Sequence, residues 1–301
     1  MESSSPCKVC EHRHMKVVGV PRSSSRFPRA DQHRYRIVQC NCCGFYSLQP
    51  ELDLTQAEWE SLYKSDYFAE ANVTPWQLKI HEQERKERLD LIEQCTDTLK
   101  GRFLDYGCGE GWVLQEAMAR GWDTYGQDIA DNLDTSVDRK CLHFAKGSIL
   151  ETHYPDGYFS AIYMDSVLEH VTHPIAILRE LFRVLVPGGV LLLIVPNEDC
   201  LENTVKGLVY ALLGRSEQFG CIKPFVPPFH IQGFNGKSLK SAIAHSGFQM
   251  QRMLQFGGDY PFWKAYGFLS GPFLRQICLY PFGLLSIVVN RQAQLMAIAK
   301  K

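Results

Sequence analysis

Short apolar runs alternate with amphipathic segments in the part of the chain that follows residue 100. Segments with helical spacing of apolar residues lie between the later runs, and PIAILRELFRVL is the clearest of them. This alternation is typical of βαβ units, so it predicts an α/β fold with a doubly wound parallel sheet. Two late runs, FQMQRMLQFGG and QLMAIAKK, are expected to complete a seven-stranded sheet at one edge. The first five predicted strands are RFLDY, WDTYGQD, LHFAKG, FSAIYMD and GVLLLIVPN.

The segment from Thr55 to Leu99 has a different pattern, rich in charged residues and helix formers with leucines among them. We expect two helices there, broken near Pro75. The chain therefore divides into a small module over residues 1–50, a helical lid or linker over residues 51–100, and a main domain over residues 101–301.

A long apolar connection precedes the last predicted strand. Between Tyr260 and Asn290 the only charged residues are Lys264 and Arg275. The uncharged part is too short, and too interrupted by proline and glycine, to be a transmembrane helix. It predicts either an apolar wall over a substrate cavity or a dimer contact, or else a peripheral membrane patch for a lipid-linked substrate.

Composition places the chain among ordinary globular proteins. Of 301 residues, 45% are hydrophobic and 22% charged, which excludes a disordered or coiled-coil chain. The formal net charge of -1 gives no global attraction to nucleic acid. Residues 1–50 nevertheless carry eight Lys or Arg against three acidic residues, so the first module is basic and the remainder is acidic.

Five of the eleven cysteines fall in the first 43 residues. The start of the chain has no apolar run that could serve as an export signal, so we expect a reducing, cytoplasmic environment. Two Cys-x-x-Cys pairs at the ends of tight turns supply four thiolates, which suit tetrahedral zinc. Cys42, His12 and His14 are alternative ligands, and redox or fortuitous cysteines are the competing interpretation. The predicted ligands of this structural zinc are Cys7, Cys10, Cys40 and Cys43.

A glycine-rich turn follows the first strand of the main domain, in the sequence DYGCGEG. Gly107, Gly109 and Gly111 remove side chains where a ligand could lie against the backbone, at the start of a helix. The next predicted strand ends in Asp128, whose carboxylate can accept both hydroxyls of a ribose. A glycine turn between strand and helix, with an acid ending the next strand, indicates a nucleoside-containing ligand.

These motifs resemble those of class I S-adenosylmethionine-dependent methyltransferases. The resemblance rests on DYGCGEG, QD, GSILE, MDSVLEHVTHP and RVLVPGG before LLLIVPN, in this order. It implies a Rossmann-like sheet of the methyltransferase type, with S-adenosylmethionine as cofactor. The roles that it implies are contacts to the methionine part by Asp105 and the three glycines, to the ribose by Asp128, to the adenine by Ser148 and Ile149, and to the ammonium by the carbonyl of Asp165.

Two subgroups are suggested by further residues. The paired cysteine knuckles ahead of the domain are similar to those of a bacterial subgroup that acts on sugars and other small molecules. LEHV resembles the ubiquinone-pathway O-methyltransferases, in which a Glu-x-x-Glu-His set is taken to bind a divalent cation. Here Ser166 stands at the first Glu position, so only Glu169 and His170 of that set remain.

Transfer of a methyl group to a hydroxyl requires a base that removes a proton. His170 and His230 are the candidates, His170 after the fourth strand and His230 in the segment that follows the fifth. Each could instead serve a structural role, as a helix cap or as a histidine bonded to backbone. Aromatic lids over the cofactor are expected from Tyr63, Tyr67 and Phe68, or else these side chains pack helix on sheet.

The sequence thus predicts an enzyme that methylates a small molecule, at a hydroxyl of a sugar, a polyketide-like compound or a quinone or phenol. One alternative is an RNA methyltransferase that uses the basic module to contact RNA. Against it, the basic residues are not interleaved with aromatic residues that could stack on bases. The other alternative is a non-catalytic scaffold with the same fold, which would have no use for an intact glycine turn followed by Asp128.

Overall fold

The structure is a computed structural model, and it describes residues 6–21, 35–52, 54–63, 75–214, 229–257 and 271–301. Tyr67 and Phe68, predicted as aromatic lids, lie outside the described residues. So do residues 258–270 of the apolar connection and residues 215–228 of the segment that leads to His230.

Eleven strands and eight helices are found in the described part of the chain. The strands are β1 (Met15–Gly19), β2 (Arg36–Cys40), β3 (Tyr46–Gln49), β4 (Arg102–Tyr106), β5 (Asp123–Asp128), β6 (Leu142–Lys146), β7 (Phe159–Asp165), β8 (Leu185–Pro196), β9 (Gln232–Gly233), β10 (Gln249–Phe256) and β11 (Gln294–Lys300). The helices are α1 (Gln56–Leu62), α2 (Pro75–Cys95), α3 (Trp112–Ala119), α4 (Ile149–Thr152), α5 (Pro174–Val184), α6 (Leu201–Leu212), α7 (Gly236–His245) and α8 (Gly271–Val288).

The main sheet has seven strands in the order β10-β11-β8-β7-β4-β5-β6. Strands β8, β7, β4, β5 and β6 are parallel to one another, while β11 runs antiparallel to both β8 and β10. This order confirms the predicted doubly wound α/β fold. The five early runs and the two late ones are all strands, and β8 begins at Leu185, earlier than the predicted run.

The central strands are buried on both faces, which explains their continuous apolar runs. Leu104 of β4, Ile162 of β7 and Leu191 of β8 have no exposed surface. Helix α5 lays its apolar stripe, which includes Ile177 and Leu181, against this core. The chain turns from one half of the sheet to the other between β4 and β7, and ligands bind at the carboxyl ends of strands at such a switch point.

The N-terminal module is a four-stranded antiparallel sheet in the order β1-β2-β3-β9. Its fourth strand comes from the segment just after His230, so the module is completed by the main domain. Phe45 packs on Phe234 with ring centroids 5.1 Å apart. Both rings are fully buried, in a hydrophobic core that is continuous with that of the main sheet.

The C-terminal apolar connection contains helix α8, with Pro281 inside it. Within the described residues, no helix has the length and apolar character needed to cross a membrane.

Candidate active site

A cavity of about 520 Å³ opens at the carboxyl ends of the central strands. One end is lined by the glycine turn and the end of β5, and the other by α1 and by the segments around His170 and His230. Its described lining residues are Trp59, Tyr63, Tyr106, Gly107, Gly109, Asp128, Ile129, Gly147, Ser148, Leu150, Asp165, Ser166, Val167, Glu169, His170, Val171, Thr172, His173, Ile177, Pro196, His230 and Gln294.

The glycine turn requires glycine for two separate reasons. Gly107 has φ of +82°, in the left-handed region that side chains disfavour. A Cβ atom there would also lie 2.1 Å from Cγ2 of Val167. Gly107 and Val167 both line the cavity, so the absence of a side chain at Gly107 lets Val167 lie directly against the turn.

Asp128 is held against this turn by main-chain hydrogen bonds. The amide of Gly109 donates to Oδ2 at 2.8 Å, and the amide of Ala130 donates to Oδ1 at 3.3 Å. Burial raises the pKa of Asp128, while these amides oppose the shift. Each carboxylate oxygen has a second lone pair, so the side chain can still accept hydroxyl groups from a ligand in the cavity.

Ser148 lies in the cavity wall and begins helix α4 as its N-cap. Its hydroxyl accepts a hydrogen bond from the amide of Leu150 at 3.3 Å, and Glu151 completes the capping box. The Ile149 side chain points into the core and has no exposed surface, whereas Leu150 lines the cavity and is 42% exposed. The apolar side chain available to a flat ring here is thus Leu150, one position beyond the predicted Ile149.

Asp105 and Asp165 lie near the glycine turn in different surroundings. Asp105 is 3% exposed and is absent from the cavity lining, and burial raises its pKa well above the usual range, with Asp165 and Asp128 adding to the shift. Asp165 lines the cavity, and its Oδ2 accepts hydrogen bonds from Arg88 and from the hydroxyl of Tyr163, both at 2.8 Å.

Arg88 is a site residue that was not predicted from the sequence. It lies on α2, and its guanidinium also donates to the hydroxyl of Tyr163 at 2.8 Å. The side chain is only 14% exposed, so a positive charge is held beside the acidic end of β7. The available signal was weak, because Arg88 is one of several charged residues in the run HEQERKERLD.

His170 and Tyr63 meet at the opposite end of the cavity. Nδ1 of His170 lies 3.0 Å from the hydroxyl of Tyr63 and 3.0 Å from the carbonyl oxygen of Phe229. A carbonyl oxygen only accepts hydrogen bonds, so Nδ1 carries the proton and Nε2 carries the lone pair. Burial, with a further contribution from His230, lowers the pKa of His170 to about 3, which keeps the ring neutral.

His230 stands edge-on to His170, with ring centroids 4.7 Å apart. Its Nδ1 is buried without a hydrogen-bond partner in the described part of the chain, and burial lowers its pKa to about 4. Both histidines are therefore neutral near pH 7, and each can accept a proton.

Glu169 joins this pair and was not predicted as a site residue. It is 1% exposed, and neither carboxyl oxygen has a hydrogen-bond partner among the described residues. Burial raises its pKa to about 8, so the group is protonated at neutral pH. Its Oε1 lies 3.9 Å from Nε2 of His170, but with both groups neutral this contact is not an ion pair.

The ligand atoms of Glu169, His170 and His230 lie within 4.8 Å of one another, a spacing that a divalent cation could also use. Mg²⁺ and Ca²⁺ prefer oxygen ligands, and this set offers one carboxyl group and two nitrogens. Ser166, at the position where the resemblance expects a further carboxylate, has φ of +55° and bonds to Asp165 instead.

The four cysteines of the two knuckles come together in the N-terminal module. Their sulfur atoms lie within 4.8 Å of one another, with Cys7 to Cys43 and Cys10 to Cys40 each at 3.6 Å. Four thiolates around zinc at Zn–S distances of about 2.3 Å would stand roughly 3.8 Å apart, so the residues fit this metal. Cys42 is exposed and does not belong to the cluster.

Seven of the ten predicted cofactor and catalytic residues line the one cavity, and three do not. The seven are Gly107, Gly109, Asp128, Ser148, Asp165, His170 and His230. Asp105, Gly111 and Ile149 lie behind the wall. Gly111 has φ of +81° and begins α3, where a Cβ atom would lie 2.8 Å from Leu133, so its requirement for glycine comes from packing.

Comparison with known proteins gives a consistent result for the main domain. Residues 80–252 match the family described as "Methyltransferase domain". The chain is 34% identical over 127 residues to a ubiquinone biosynthesis O-methyltransferase of Psychrobacter arcticus, covering 38% of this chain and 46% of that protein. It is 36% identical over 138 residues to the protein of the same name from Xanthomonas oryzae pv. oryzae, covering 42% and 54%. The chain therefore spans about half the length of these relatives.

Solved structures with a similar fold have low sequence identity. A SAM-dependent methyltransferase from Archaeoglobus fulgidus superposes with a TM-score of 0.50 at 17% identity, covering 73% of this chain and 94% of that one. The [4+2]-cyclase SpnF superposes with a TM-score of 0.51 at 16% identity, covering 82% and 97%. Because proteins named for such different reactions share the fold, the reaction must be argued from the site.

Proposed function

The chain belongs to the methyltransferase domain family, and from this membership we propose that it transfers a methyl group from S-adenosylmethionine to a hydroxyl of a small, uncharged acceptor. The observation that carries the proposal is that one cavity has the glycine turn and Asp128 at one end and two neutral histidines with Glu169 at the other. It thus joins a nucleoside-binding end to an end that can accept a proton.

The residues at the first end fit the cofactor. Asp128 would accept the ribose hydroxyls, the backbone of Gly107 and Gly109 would face the methionine part, and Leu150 with Ser148 would flank the adenine. When bound, S-adenosylmethionine supplies a methyl group on a positively charged sulfur. Asp165, with its carboxylate oriented by Arg88, places negative charge at this end of the cavity.

The second end supplies proton transfer. His230 has a free Nδ1 and His170 a lone pair on Nε2, so either can accept the proton of a hydroxyl. Protonated Glu169 can donate a hydrogen bond to the same oxygen and orient it. We assign these groups to proton transfer rather than to Mg²⁺ or Ca²⁺ because the set offers such a cation one carboxyl group and two nitrogens.

The walls also restrict the class of acceptor. The described lining residues include no Lys or Arg, and three of them are carboxylic acids, namely Asp128, Asp165 and Glu169. A phosphate or carboxylate on the acceptor would find no cationic partner here. Trp59 and Tyr63 provide stacked aromatic surface, with centroids 6.4 Å apart. A neutral phenol, quinol or sugar hydroxyl suits this cavity, and of these the phenol and the quinol agree with the name of the ubiquinone biosynthesis O-methyltransferase relatives.

The four cysteines are proposed to hold a structural zinc ion. Four thiolates leave zinc no open position, so the metal has no place in the reaction. Its role is to fix the turns that carry Cys7 and Cys43 and so to fix the sheet that the main domain completes.

The decisive experiment is titration of the full chain with S-adenosylmethionine by calorimetry, alone and after Asp128→Ala. Binding by the wild type and its loss in the variant are expected, with Asp131→Ala, on the surface nearby, as the control. Absence of wild-type binding would refute the enzymatic proposal. Turnover is then measured on a panel of a catechol, a quinol, a sugar and an RNA, and turnover on RNA alone would replace the proposed acceptor class.

A further inference from the structure

Exposed apolar side chains are concentrated on two helices that contact each other, α6 and α8. Eleven of the sixteen exposed large apolar side chains in the described part of the chain lie within residues 208–213 and 277–289. We call these two stretches the α6–α8 surface. The eleven are Leu208, Val209, Leu212, Leu213, Ile277, Phe282, Leu284, Leu285, Ile287, Val288 and Val289.

The end of α8 has the reverse of the burial pattern expected in a water-soluble helix. Ser286 is 4% exposed, and its hydroxyl donates to the carbonyl of Gly283 at 2.6 Å. Its neighbours Leu285 and Ile287 are 47% and 44% exposed, and Val288 is 81% exposed. The polar side chain is therefore inside and the apolar ones are outside, which is costly in water.

The exposed apolar residues of α8 surround most of the helix. At about 100° per residue, positions 282 to 289 without Gly283 and Ser286 span an arc of roughly 220°. A helix that packs on one protein surface needs an apolar stripe only about 100° wide. Helix α6 adds to the same surface, since none of its side chains is fully buried. An occupant that encloses both helices from several sides is a lipid layer rather than one protein face.

Charge favours the same occupant. Residues 260–290 contain two basic side chains, Lys264 and Arg275, and no acidic one. The rest of the chain after residue 50 is acidic, so this segment departs from its surroundings. Basic residues close in sequence to an apolar segment favour anionic lipid headgroups as its occupant.

The two helices of the surface are connected along the chain to residues that line the cavity. Helix α6 follows Pro196 and α8 precedes Gln294, and both of these residues line the cavity. Arg291 joins the two connections, because its Nε donates to the carbonyl of Asp199 at 2.9 Å and its Nη2 donates to the hydroxyl of Thr204 at 2.7 Å. The two helices are therefore anchored at the carboxyl end of the sheet, the end at which the cavity lies.

We propose that the α6–α8 surface docks the protein onto an anionic lipid bilayer, with both helices lying in the headgroup region and the cavity facing the membrane. Docking onto the bilayer does not depend on the proposed reaction. The class of acceptor that we infer from it, a neutral hydroxyl compound dissolved in the bilayer, rests on the proposed methyl transfer.

Sedimentation of the full chain with vesicles tests the docking. We expect binding to vesicles of phosphatidylcholine with phosphatidylglycerol, weaker binding to phosphatidylcholine alone, and about a tenfold or greater loss of binding in Val288→Glu, which replaces an apolar contact by a charge repelled by the lipid. Leu99→Glu is the matched control, since Leu99 is 92% exposed and lies outside the α6–α8 surface. Binding by Leu99→Glu should equal that of the wild type.

Two further measurements distinguish membrane docking from dimer formation and from the proposed methyl transfer. A wild-type protein that does not bind vesicles, or a Val288→Glu variant that binds them as the wild type does, overturns the proposal. So does a wild-type dimer in light scattering that Val288→Glu converts to a monomer, because the surface then serves a second copy. S-adenosylmethionine binding is measured on the same samples. It should be equal in wild type and variant, so failure of docking and failure of the proposed function are distinguishable.

Discussion

The amide of Leu48 in the N-terminal module donates a hydrogen bond of 3.0 Å to the carbonyl of Ile231, the residue next to His230. The module is therefore bonded to the segment that carries a proposed base. Its strand β3 continues this contact by pairing with β9. The geometry of the cysteine cluster and the position of His230 are coupled through one short piece of backbone.

Loss of a cysteine ligand should release zinc and impair catalysis more than cofactor binding. We expect Cys43→Ser to lose bound zinc, to have a lower melting temperature, and to lower kcat while the Kd for S-adenosylmethionine changes less than about threefold, since the module is hydrogen-bonded to Ile231, the residue next to His230. Zinc is measured by release to a colorimetric chelator. Cys42→Ser is the control, because Cys42 is exposed and outside the cluster. Equal zinc content in Cys43→Ser and the wild type would contradict the ligand assignment.

Substitution of Gly107 should weaken cofactor binding for a steric reason. In Gly107→Ala the new Cβ atom would meet Val167 at 2.1 Å, so the turn must move. Gly121→Ala separates the steric clash from backbone strain. Gly121 has a similar φ of +83°, but no atom lies within 4 Å of the point where its Cβ would stand. We expect Gly121→Ala to cost about 1 kcal/mol of stability with normal S-adenosylmethionine affinity. Gly107→Ala should weaken that affinity at least about tenfold, and equal affinities in the two variants would show that the turn does not contact the ligand.

The pH dependence of the reaction should lack the inflection of an ordinary histidine. Burial lowers the pKa of His230 from 6.5 to about 4, so this histidine is neutral between pH 4 and pH 6.5 as well as above. The acid limb of kcat/KM is therefore expected near pH 4. His230→Gln should reduce kcat by about a hundredfold and remove this limb. A limb that persists in His230→Gln would assign the base to another group, with His170 as the first candidate.

The same shift makes the folded protein less stable in acid. Because the pKa is lower in the folded chain than in the unfolded one, stability from His230 is present above pH 6.5 and is lost as the pH falls towards 4. Circular dichroism at each pH therefore accompanies the rate measurements.

Glu169 should have the opposite effect on stability in alkali. Burial raises its pKa from 4.5 to about 8, so its contribution is fully present below pH 4.5 and is lost as the pH rises through 8. Glu169→Gln removes the ionisation and keeps the shape. We expect it to be more stable than the wild type by on the order of 4 kcal/mol at pH 8 and by little at pH 4.5. Urea unfolding at both pH values measures this, with exposed Glu87→Gln as control, and a pH-independent difference would refute the assigned shift.

The fold could be predicted from the sequence because its strands are short apolar runs set apart by helices, and each of the seven runs predicted as strands after residue 100 is a strand. The end of β5 at Asp128 and the glycine turn after β4 follow from the same pattern, since parallel strands bring their carboxyl ends together. Where β8 begins could not be predicted, because Gly188 and Gly189 resemble a turn while their backbone continues the strand.

The proton-accepting end of the cavity was predicted only in part. His170 and His230 were identified by residue type, but Glu169 was not, because its meaning depends on burial beside a histidine 61 positions away in the chain. Arg88 was missed because nothing in a charged helix marks the one guanidinium that turns inward to Asp165. The roles of the individual site residues stay predictions until the variants above are measured.

Strand β11 lies between β8 and β10, and Leu295 is paired with Val195, a hundred positions earlier. Until that distant segment arrives, β8 presents an unpaired edge whose residues Leu191, Leu193 and Val195 are wholly apolar and, once folded, wholly buried. Non-local pairing of this kind is slow, and an open apolar edge invites pairing with other chains. Refolding yield should therefore fall as the protein concentration rises, because association between incompletely folded chains competes with the pairing of β11 to β8.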